Sequence, residues 1–388
     1  MSGAGIYLHI PFCRAKCLYC DFCSYPGYEA LYAPYADALI QQIHHASAAQ
    51  GDGAFDTLYV GGGTPTVLPS ERLVALLAAC RRALSLPQGA EATVEANPGT
   101  VTRASLQELA RGGYNRLSLG VQSFHADELA LLGRIHDRQA ALDALADARA
   151  AGLRNISLDL MFGLPRQTLA RWRANLEQAL ALAPEHISLY ALTLEEHTPL
   201  AVQVAQGALP APDDDLAADM YELAQELLAA AGYEQYEISN WARGAPGDRP
   251  GALPTLACRH NLHYWRNEPY LGLGAGAHGY DGLRRYAQIA DPVAYVRRVA
   301  AGENTLASSE PVTRAQAMDE TMMLGLRLSQ GVTRAGFRQR FGVEIEAEYA
   351  EALAELAGTG LLASDAEGIR LTPRGRLLGN RVFAAFLR

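Results

Sequence analysis

Three cysteines close to the start of the chain have a spacing typical of a metal-cluster site. Cys13, Cys17 and Cys20 follow one another as C-x3-C-x2-C, directly after a strand predicted at Ile6–Ile10. Thiolates suit soft metal centres, so an iron–sulfur cluster and a zinc ion are both candidates. Structural zinc prefers four ligands in two close pairs, and no second C-x2-C pair or histidine pair follows downstream. Three closely spaced thiolates instead fit three corners of a cubane, which leaves one iron free to take an outside ligand.

The open corner of such a cluster can be filled by the amino and carboxylate groups of S-adenosylmethionine. An electron from the cluster then cleaves a carbon–sulfur bond and releases a 5′-deoxyadenosyl radical, while the protein positions the cofactor and excludes water. Phe12, Tyr19 and Phe22 lie among the cysteines, where they can shield a cluster or act as ordinary core aromatics. Cys23 lies a further C-x2-C step along the chain. Because three thiolates and the cofactor already complete the cluster, we expect Cys23 not to be a ligand.

Glycines and polar side chains follow the later strands in the same way. Gly61–Thr66 (GGGTPT) comes after the second predicted strand, and glycines there let the backbone approach a ligand closely. Glu95 ends the third strand, Gln122 follows the fourth, and Asp159 lies in the fifth. Each of these residues alone is more simply explained by a structural role. Their position at the same end of successive strands predicts a shared ligand site.

A regular alternation of strands and helices is needed to bring these residues together. From residue 6 to about residue 195, short β-rich runs alternate with amphipathic helical patterns, which predicts βα units and a parallel sheet. Six such units, with glycine and polar residues after the strands, indicate a barrel or open barrel whose site lies at the carboxyl ends of the strands. The predicted strands are Ile6–Ile10, Thr57–Val60, Thr93–Ala96, Arg116–Val121, Ile156–Met161 and His186–Leu192.

The pattern changes beyond about residue 232. Tyr233–Trp241 is strand-like, and the aromatic, glycine-rich segment Cys258–Tyr280 fits neither a helical nor a strand period. A compact helical pattern with a hairpin begins near residue 312 and resembles a winged-helix module. Its predicted elements are helices at Ala315–Leu328, Thr333–Phe341, Glu346–Thr359 and Pro373–Phe386, and the hairpin at Leu361–Leu371.

Composition and charge narrow the class of protein. The chain has 388 residues, 49% of them hydrophobic, which is enough for one large domain and a smaller one. Its formal net charge of −9 argues against a broad non-specific grip on nucleic acid. No apolar run reaches the roughly 18–20 residues that span a bilayer, and cysteines occupy the place of a signal peptide's apolar region. Six cysteines, four of them within eleven residues, favour a metal site in a reducing compartment, so we expect a cytoplasmic protein.

A family resemblance is carried by sequence strings that occur in order over most of the chain: IYLHIPFC, GGGTPT, EANPG, LGVQSF, GRIHD, DLMFGLP and HNLHYW. The chain resembles the radical S-adenosylmethionine (SAM) superfamily. Within it, the chain is similar to the family of oxygen-independent coproporphyrinogen oxidase and its close relative, the HemW-type haem chaperone. The resemblance implies a [4Fe–4S] cluster on the three cysteines. It also implies SAM contacts from Tyr7, Gly62, Gly63, Thr64, Glu95, Gln122, Arg134 and Asp159.

The resemblance also implies an architecture. The expected α/β fold is a partial (β/α)6 radical-SAM barrel with a C-terminal α+β extension and a winged-helix-like module. We place the barrel and its cluster at residues 1–231, the extension with the HNLHYW segment at 232–310, and the module at 311–388. Such modules often bind DNA, but the second helix of this one offers only Arg334, Arg338 and Arg340 as basic residues. A zinc-stapled DNA-binding regulator is therefore the least favoured function.

Two members of the family differ in function and stay as alternatives. The oxidase decarboxylates two propionates of coproporphyrinogen III oxidatively, whereas the chaperone holds haem and passes it to client proteins. The oxidase carries an additional N-terminal segment, whereas only five residues precede the first predicted strand here. The oxidase pattern also ends C-x-C, whereas position 22 is Phe and the next cysteine is Cys23. Both departures favour the chaperone.

The chaperone interpretation needs a place for haem as cargo. The segment around HNLHYW offers Cys258, His260 and His263 as candidate haem ligands, with aromatic residues to cover the macrocycle. His278 in GAGAH is a further candidate. A histidine in an aromatic cluster is more often a hydrogen-bonded core residue, so both interpretations of this segment stay open. Client haemoproteins, such as respiratory enzymes, and a homodimer are further expectations from the resemblance.

Overall fold

Six parallel strands form the centre of a wide sheet. The computed structural model describes residues 3–49, 55–248 and 252–388. Neighbouring strands pair in parallel in chain order. They are β1 (Ala4–Ile10), β2 (Phe55–Gly62), β3 (Glu91–Ala96), β4 (Arg116–Gln122), β5 (Asn155–Phe162) and β6 (His186–Ala191). All six predicted strands are present, and the partial (β/α)6 barrel is confirmed.

Helices return the chain from each strand to the next. Side chains of Thr102, Asp137, Thr168 and Asp213 each accept a backbone N–H bond from the residue three positions on and so cap the helix that follows. Such caps fix where the helices begin, because they satisfy amides that the helix itself leaves unpaired. The helices are α1 (Tyr32–Ala49), α2 (Ser70–Ala83), α3 (Arg103–Gly112), α4 (Ala126–Leu131), α5 (Arg138–Ala150), α6 (Leu169–Ala181), α7 (Pro199–Ala205) and α8 (Asp214–Ala230).

The two faces of the barrel strands are both covered but differ in chemistry. Side chains alternate between the faces along each strand. Leu58 and Val94 belong to the face that packs in the main apolar core of the molecule. Their neighbours Tyr59 and Glu95 lie on the opposite face, where the Tyr59 hydroxyl donates a 2.7 Å hydrogen bond to Glu95 Oε1. The interior of the barrel is therefore a polar network and not an apolar core.

Further strands extend the sheet at both edges. They are β7 (Tyr233–Glu237) and β8 (Asn240–Arg243) next to β6, and β9 (Tyr270–Leu273), β10 (His278–Tyr280), β11 (Arg284–Gln288) and β12 (Leu306–Pro311) on the side of β1. β9 runs parallel to β1, whereas β8 is antiparallel to β6. The completed sheet has the order β12-β11-β10-β9-β1-β2-β3-β4-β5-β6-β8-β7. Helices α9 (Arg259–Trp265) and α10 (Pro292–Ala300) accompany this extension.

The segment Cys258–Tyr280, whose sequence fits neither a helical nor a strand period, contains regular elements in the structure. It forms α9, β9 and β10. The short helix α9 is capped from outside its own sequence, because the Glu91 carboxylate accepts the backbone N–H groups of Arg259 and His260, both at 3.1 Å. A cap that comes from a distant strand leaves no local signal in the sequence.

The C-terminal module has a separate apolar cluster, which includes Met322, Phe337, Ile369 and Phe386. Its three-stranded sheet and helices agree with the predicted winged-helix-like architecture. Two predicted helices are each broken in two, and at the first break the Tyr349 hydroxyl donates to Asp319 at 2.7 Å. The elements are α11 (Arg314–Gly325), β13 (Val332–Thr333), α12 (Arg334–Phe341), α13 (Ile345–Glu348), α14 (Ala350–Leu356), β14 (Leu362–Ser364), β15 (Gly368–Leu371), α15 (Pro373–Leu377) and α16 (Gly379–Ala384).

The proposed domain boundaries at 231/232 and 310/311 stay predictions. β7 and β8 pair with the barrel sheet although they follow the first boundary, so the extension is continuous with the barrel in hydrogen bonding. Among the helices of the three described ranges, none combines the length and the apolar character needed to cross a membrane.

Candidate metal and cofactor site

The carboxyl ends of the barrel strands surround a cavity of about 520 Å³. The loop after β1 brings the three cysteines to its edge, and the ends of β2 to β6 contribute the other walls. The predicted site residues that line it are Cys13, Cys17, Cys20, Gly62, Gly63, Thr64, Glu95, Gln122, Arg134 and Asp159. The structure therefore brings together all the predicted cluster and SAM residues except Tyr7, while their role as ligands stays a prediction.

The cysteine loop is held by contacts with the barrel. The backbone N–H of Leu18 donates to the carbonyl of Leu132 at 3.0 Å, and the Arg134 guanidinium lies 3.3 Å from Cys17 Sγ. All three thiols are free of disulfides. Over the described ranges, no three Cys, His, Asp or Glu side chains converge as the ligands of a single metal ion would. The thiols instead border the cavity, an arrangement that leaves space for a larger group.

The glycines after β2 let the backbone pass close to the cysteine loop. The backbone N–H groups of Gly63 and Thr64 donate to the carbonyls of Ile10 and Phe12, at 2.9 and 2.7 Å. A Cβ at position 63 would lie 2.5 Å from the Phe12 carbonyl oxygen and 3.0 Å from Cys13 Sγ. The backbone at Gly63 thus lies close to the cysteine loop, while its predicted approach to a ligand stays a prediction.

Two half-buried carboxyl groups line the inner wall. Glu95 accepts hydrogen bonds from the Tyr59 hydroxyl at 2.7 Å and from the Gly62 backbone at 3.3 Å, and burial raises its pKa to about 7. Asp159 accepts from the Ser118 hydroxyl at 3.1 Å, and burial raises its pKa as well. Both groups can accept hydrogen bonds from hydroxyl or ammonium groups of a ligand.

Arg134 fixes several parts of the wall relative to one another. Its guanidinium donates to the Gly120 carbonyl at 2.6 Å and to the Asn97 side chain, and it also contacts Cys17. Asn97 in turn donates to Thr64 Oγ1 at 2.8 Å. The guanidinium therefore links the cysteine loop to the ends of β2, β3 and β4.

Unpaired polar atoms in the wall indicate where a ligand would bond. Gln122 has a left-handed backbone conformation with φ of 67°, and its Oε1 is buried without a hydrogen-bond partner in the described residues. Ser24 Oγ and Arg134 Nε are buried and unpaired in the same sense. Because unpaired buried polar atoms are rare in proteins, they support a polar ligand in the cavity. The donor set, three thiols beside amide, hydroxyl and carboxyl groups, fits a [4Fe–4S] cluster with SAM.

Tyr7 is the predicted site residue that the structure does not place in the cavity wall. Its hydroxyl lies 3.0 Å from His9 Nδ1, and its ring stacks on Tyr59 with centroids 6.3 Å apart. It therefore lies within the polar interior of the barrel, below the cavity. Its contact with SAM stays a prediction without support from this geometry.

Several lining residues were absent from the sequence prediction. Asn97 lies inside the EANPG string, two residues after the predicted Glu95, so the string itself signalled it. Tyr190 lies two residues beyond Ser188 on β6 and shares its face, but it had no motif to mark it. Met161, Thr193 and Glu195 complete the far wall.

The candidate haem ligands lie at the opposite end of the barrel, where α9 contacts the amino ends of β2 and β3. His260 is fully buried, with Nδ1 2.8 Å from the Thr57 hydroxyl and Nε2 2.8 Å from the Tyr264 hydroxyl. Burial lowers its pKa to about 3, so the ring is neutral. Cys258 is also fully buried, with Sγ 3.6 Å from Glu91 Oε1. The structure does not bring these residues to the cavity.

His263 has a different electrostatic state from its neighbour. Its two ring nitrogens lie 2.7 Å from Asp56 Oδ1 and 2.7 Å from Glu268 Oε2. Burial alone would lower the pKa of His263, but the hydrogen bonds to these carboxylates raise it to about 9. The ring is therefore an imidazolium that joins β2 to the loop after α9.

Comparison with known proteins identifies the family of this chain. Residues 7–179 match the model of the radical SAM superfamily, and residues 312–378 match that of the HemN C-terminal domain. The heme chaperone HemW of Bacillus subtilis is 38% identical over 382 residues, which cover 98% of this chain and 98% of that protein. This chain belongs to the HemW family of radical SAM proteins.

Further relatives of this HemW-family chain support the same assignment. The heme chaperone HemW of Mycobacterium tuberculosis is 38% identical over 386 residues, covering 99% of this chain and 94% of that protein. The solved structure of coproporphyrinogen III oxidase (HemN) from Escherichia coli has a TM-score of 0.83 at 25% identity, covering 99% of this chain and 90% of that chain. The family and the fold expected from the sequence strings are thus confirmed.

Proposed function

We propose that this HemW-family chain is a haem chaperone that carries a [4Fe–4S] cluster on Cys13, Cys17 and Cys20, binds SAM beside it, and delivers haem to client haemoproteins. The support is the 38% identity over nearly the whole chain to a protein named heme chaperone HemW. The cavity supports the cofactor part, because its thiols and unpaired polar atoms fit a cluster and SAM.

The charged groups of the cavity lining are the observation that favours the chaperone over the oxidase within the family. Its lining contains the carboxyl side chains of Asp21, Glu95, Asp159 and Glu195. Arg134 is its one cation in the described part of the chain, and that guanidinium is occupied by Asn97, Gly120 and Cys17. Carboxyl groups, where ionised, suit the positive sulfonium and ammonium groups of SAM. Among the described residues, the lining offers no uncommitted cation to pair with the propionates of coproporphyrinogen III.

The residues of the wall have separable roles in this proposal. The cluster, when bound, supplies the electron that cleaves the carbon–sulfur bond of SAM. Glu95 and Asp159 accept hydrogen bonds from the cofactor, and Gln122 offers its unpaired Oε1. Arg134 holds the cysteine loop in register with the strand ends. Phe22, whose side chain is 70% exposed at the edge of the cavity, can cover the entrance.

The oxidase is the second candidate, and one observation favours it. The structural match with the Escherichia coli oxidase extends over 99% of the chain with a TM-score of 0.83. A shared fold does not fix the reaction, because function depends on the site. The oxidase is disfavoured because the described lining has no uncommitted cation for propionates.

The haem site, the clients and the assembly belong to the same proposal. The clients would be haemoproteins such as respiratory enzymes, reached in the cytoplasm, with the chain as a homodimer. Cys258, His260 and His263 stay candidate ligands, although every ring nitrogen of the two histidines has a hydrogen-bond partner. If His260 ligates haem, replacing it by Ala weakens haem binding. An unchanged haem spectrum and affinity would move the site elsewhere, with His278 as the next candidate.

An anaerobic assay separates the two functions. The cluster-reconstituted, reduced protein is given SAM and coproporphyrinogen III, and the porphyrins are separated by chromatography. We expect no protoporphyrinogen from protein that retains its cluster and binds SAM, together with haem binding and transfer to an apo-haemoprotein. Catalytic formation of protoporphyrinogen would overturn the chaperone proposal in favour of the oxidase.

A further inference from the structure

A column of buried polar groups runs through the barrel from the cavity toward its closed end. Ser157 Oγ lies 3.2 Å from Asp159 Oδ1 and 2.8 Å from His186 Nδ1. His186 Nε2 lies 2.8 Å from the Tyr236 hydroxyl, which accepts the backbone N–H of Cys258 at 3.4 Å. All these side chains come from different strands except Ser157 and Asp159, which share the inward face of β5. The column joins a predicted SAM contact to the segment that closes the barrel.

The direction of the hydrogen bonds in the column follows from counting protons. Burial and the charge of Arg116 hold the pKa of His186 well below its usual range, so the ring is neutral and has one N–H. The Tyr236 hydroxyl already accepts from Cys258, and His186 Nε2 is the acceptor for its proton among the described residues. The N–H of His186 is therefore at Nδ1, where it donates to Ser157. The Ser157 hydroxyl is then free to donate, and Asp159 Oδ1 and the Ser188 hydroxyl each lie 3.2 Å from it. The carboxylate is the stronger acceptor of the two, so the Ser157 proton is directed at Asp159.

The reverse direction leaves a proton without an acceptor. If Asp159 were protonated and donated to Ser157, His186 would carry its proton on Nε2 and donate to Tyr236. The Tyr236 hydroxyl would then have two donors directed at it and, among the described residues, no acceptor for its own proton. A buried hydroxyl proton without an acceptor is unfavourable. The column is therefore oriented with every donor pointing toward the cavity.

The orientation of the column affects the ionisation of Asp159, because few groups around this carboxyl stabilise its charged form. The titratable and charged groups that face it are Tyr59, Glu95, Arg116, His186 and Tyr190. Burial raises the pKa of Asp159, whereas serine hydroxyls and the charge of Arg116 oppose that rise. The Asp159 carboxyl in turn raises the pKa of the nearby Glu95. Ionisation of Asp159 thus depends on a small number of donors, the hydroxyls of Ser188, Ser118 and Ser157.

We propose that His186 and Tyr236 are positioning residues that hold the Ser157 hydroxyl on Asp159 and so keep the Asp159 carboxylate ionised and oriented for the ligand of the cavity. The Tyr236 hydroxyl sets the tautomer of His186, and His186 sets the direction of Ser157. The inference rests on the proposed function, because it takes SAM as that ligand. It assigns a role in cofactor binding to two residues that do not touch the cavity.

The test compares two Tyr→Phe variants on the same strand. Tyr236→Phe removes the donor to His186, whereas Tyr233→Phe removes a buried hydroxyl that donates to the Pro184 carbonyl at 2.6 Å, outside the column. SAM binding to the full-length, cluster-reconstituted protein is measured anaerobically by calorimetry from about pH 6 to about pH 9. For Tyr236→Phe we expect about tenfold weaker binding at neutral pH, and an acid limb moved upward by about one pH unit. For Tyr233→Phe we expect the wild-type profile.

A second measurement needs neither cluster nor SAM. Nitrogen-15 NMR of labelled histidine reports the tautomer of His186, whose signals are assigned by their loss in His186→Asn. We expect the Nδ1–H form in the wild-type protein and in Tyr233→Phe, and a change of tautomer in Tyr236→Phe. An Nε2–H tautomer in the wild-type protein would overturn the inference even where a variant fails to fold.

The outcomes separate this inference from the proposed function. Wild-type protein with an intact cluster that does not bind SAM would overturn the proposed function. Wild-type binding with the same pH profile in Tyr236→Phe would overturn the inference alone. Equal weakening by both variants at every pH would show a general loss of stability, and this too would overturn it.

Discussion

The two ends of the barrel both carry cysteine and carboxyl groups and differ in whether these groups border a cavity. The open end has cysteines, carboxyl groups, an arginine and a glutamine around a cavity, and Gln122 Oε1 and Arg134 Nε have no partner in the described residues. The closed end has a cysteine, two histidines and carboxyl groups, and His260 and His263 have partners on both ring nitrogens.

This difference shows that residue type alone does not identify a binding site. Glu91 at the closed end accepts two backbone N–H groups and faces the thiol of Cys258, so it completes the capping of α9. Glu95 at the open end also accepts hydrogen bonds but lines a cavity. Unused hydrogen-bonding capacity next to empty volume is what distinguishes the candidate site. The same kinds of side chain stabilise the fold where that capacity is used.

The largest expected effect is at the cysteine loop. Replacing Cys17 by Ser removes one of the three proposed thiolate ligands, so we expect almost complete loss of the cluster absorbance after anaerobic reconstitution. Cys80→Ser is the matched control, because Cys80 is buried in α2 away from the cavity. A Cys17→Ser protein with the wild-type absorbance per chain would refute the ligand assignment. It would also remove the main chemical distinction between the two ends.

The second effect concerns stability at the closed end. His263→Gln breaks a buried ion pair with Asp56 and Glu268, and we expect a loss of about 2–4 kcal/mol in the free energy of unfolding. The folded pKa of His263 is about 9, above its ordinary value, so its contribution is complete below about pH 6.5 and is lost as pH rises through 9. In urea unfolding, the free energy of unfolding of the wild type should fall as pH rises through 9. That of His263→Gln should not show this fall, because the variant lacks the imidazolium.

The control for that measurement is His44→Gln, since His44 is exposed on α1. We expect its stability to follow the wild type at every pH. Parallel pH curves for the wild type and His263→Gln would mean that the imidazolium does not stabilise the fold. The hydrogen bonds of His263 with Asp56 and Glu268 would then stabilise the closed end less than their lengths indicate.

Much of the open end could be predicted from the sequence, because its residues occur in short contiguous motifs at the ends of strands. One cavity is lined by the cysteines of the C-x3-C-x2-C motif together with Glu95, Gln122 and Asp159. The alternation of strands and helices in the sequence predicted that these residues would meet. Tyr190 was not predicted, because it enters the cavity through strand register alone. A motif search cannot recognise such a residue without the register of β6.

The closed end could not be distinguished from a ligand site by sequence. HNLHYW contains histidines and aromatics suited either to haem or to a core, and only the partners decide between them. Those partners, Thr57, Asp56 and Glu91, lie on strands about two hundred residues away in the chain. For the same reason α9 was not predicted, since Glu91 supplies its cap.

A third, smaller effect tests the unpaired group at the open end. Gln122→Asn keeps an amide that tolerates the left-handed backbone but shortens its reach, so we expect SAM affinity to fall about tenfold, or about 1.4 kcal/mol. Stability should change little, because Oε1 has no partner to lose in the described residues. Gln167→Asn is the contrasting variant, since its side chain bonds Leu164 and Glu128. It should cost about 1 kcal/mol of stability and leave SAM affinity unchanged.

The smallest effect is expected at Cys258, the cysteine of the closed end that corresponds in residue type to the cysteines of the cavity. Burial raises the pKa of its thiol to about 12, and a protonated thiol is a poor ligand for haem iron. For Cys258→Ala we therefore expect a loss of only about 1 kcal/mol in unfolding free energy, with the haem Soret band and affinity unchanged. A shifted Soret band or a tenfold weaker haem affinity would show that the closed end opens to receive a ligand. In that case satisfied hydrogen bonds would not separate structural from binding residues in this barrel.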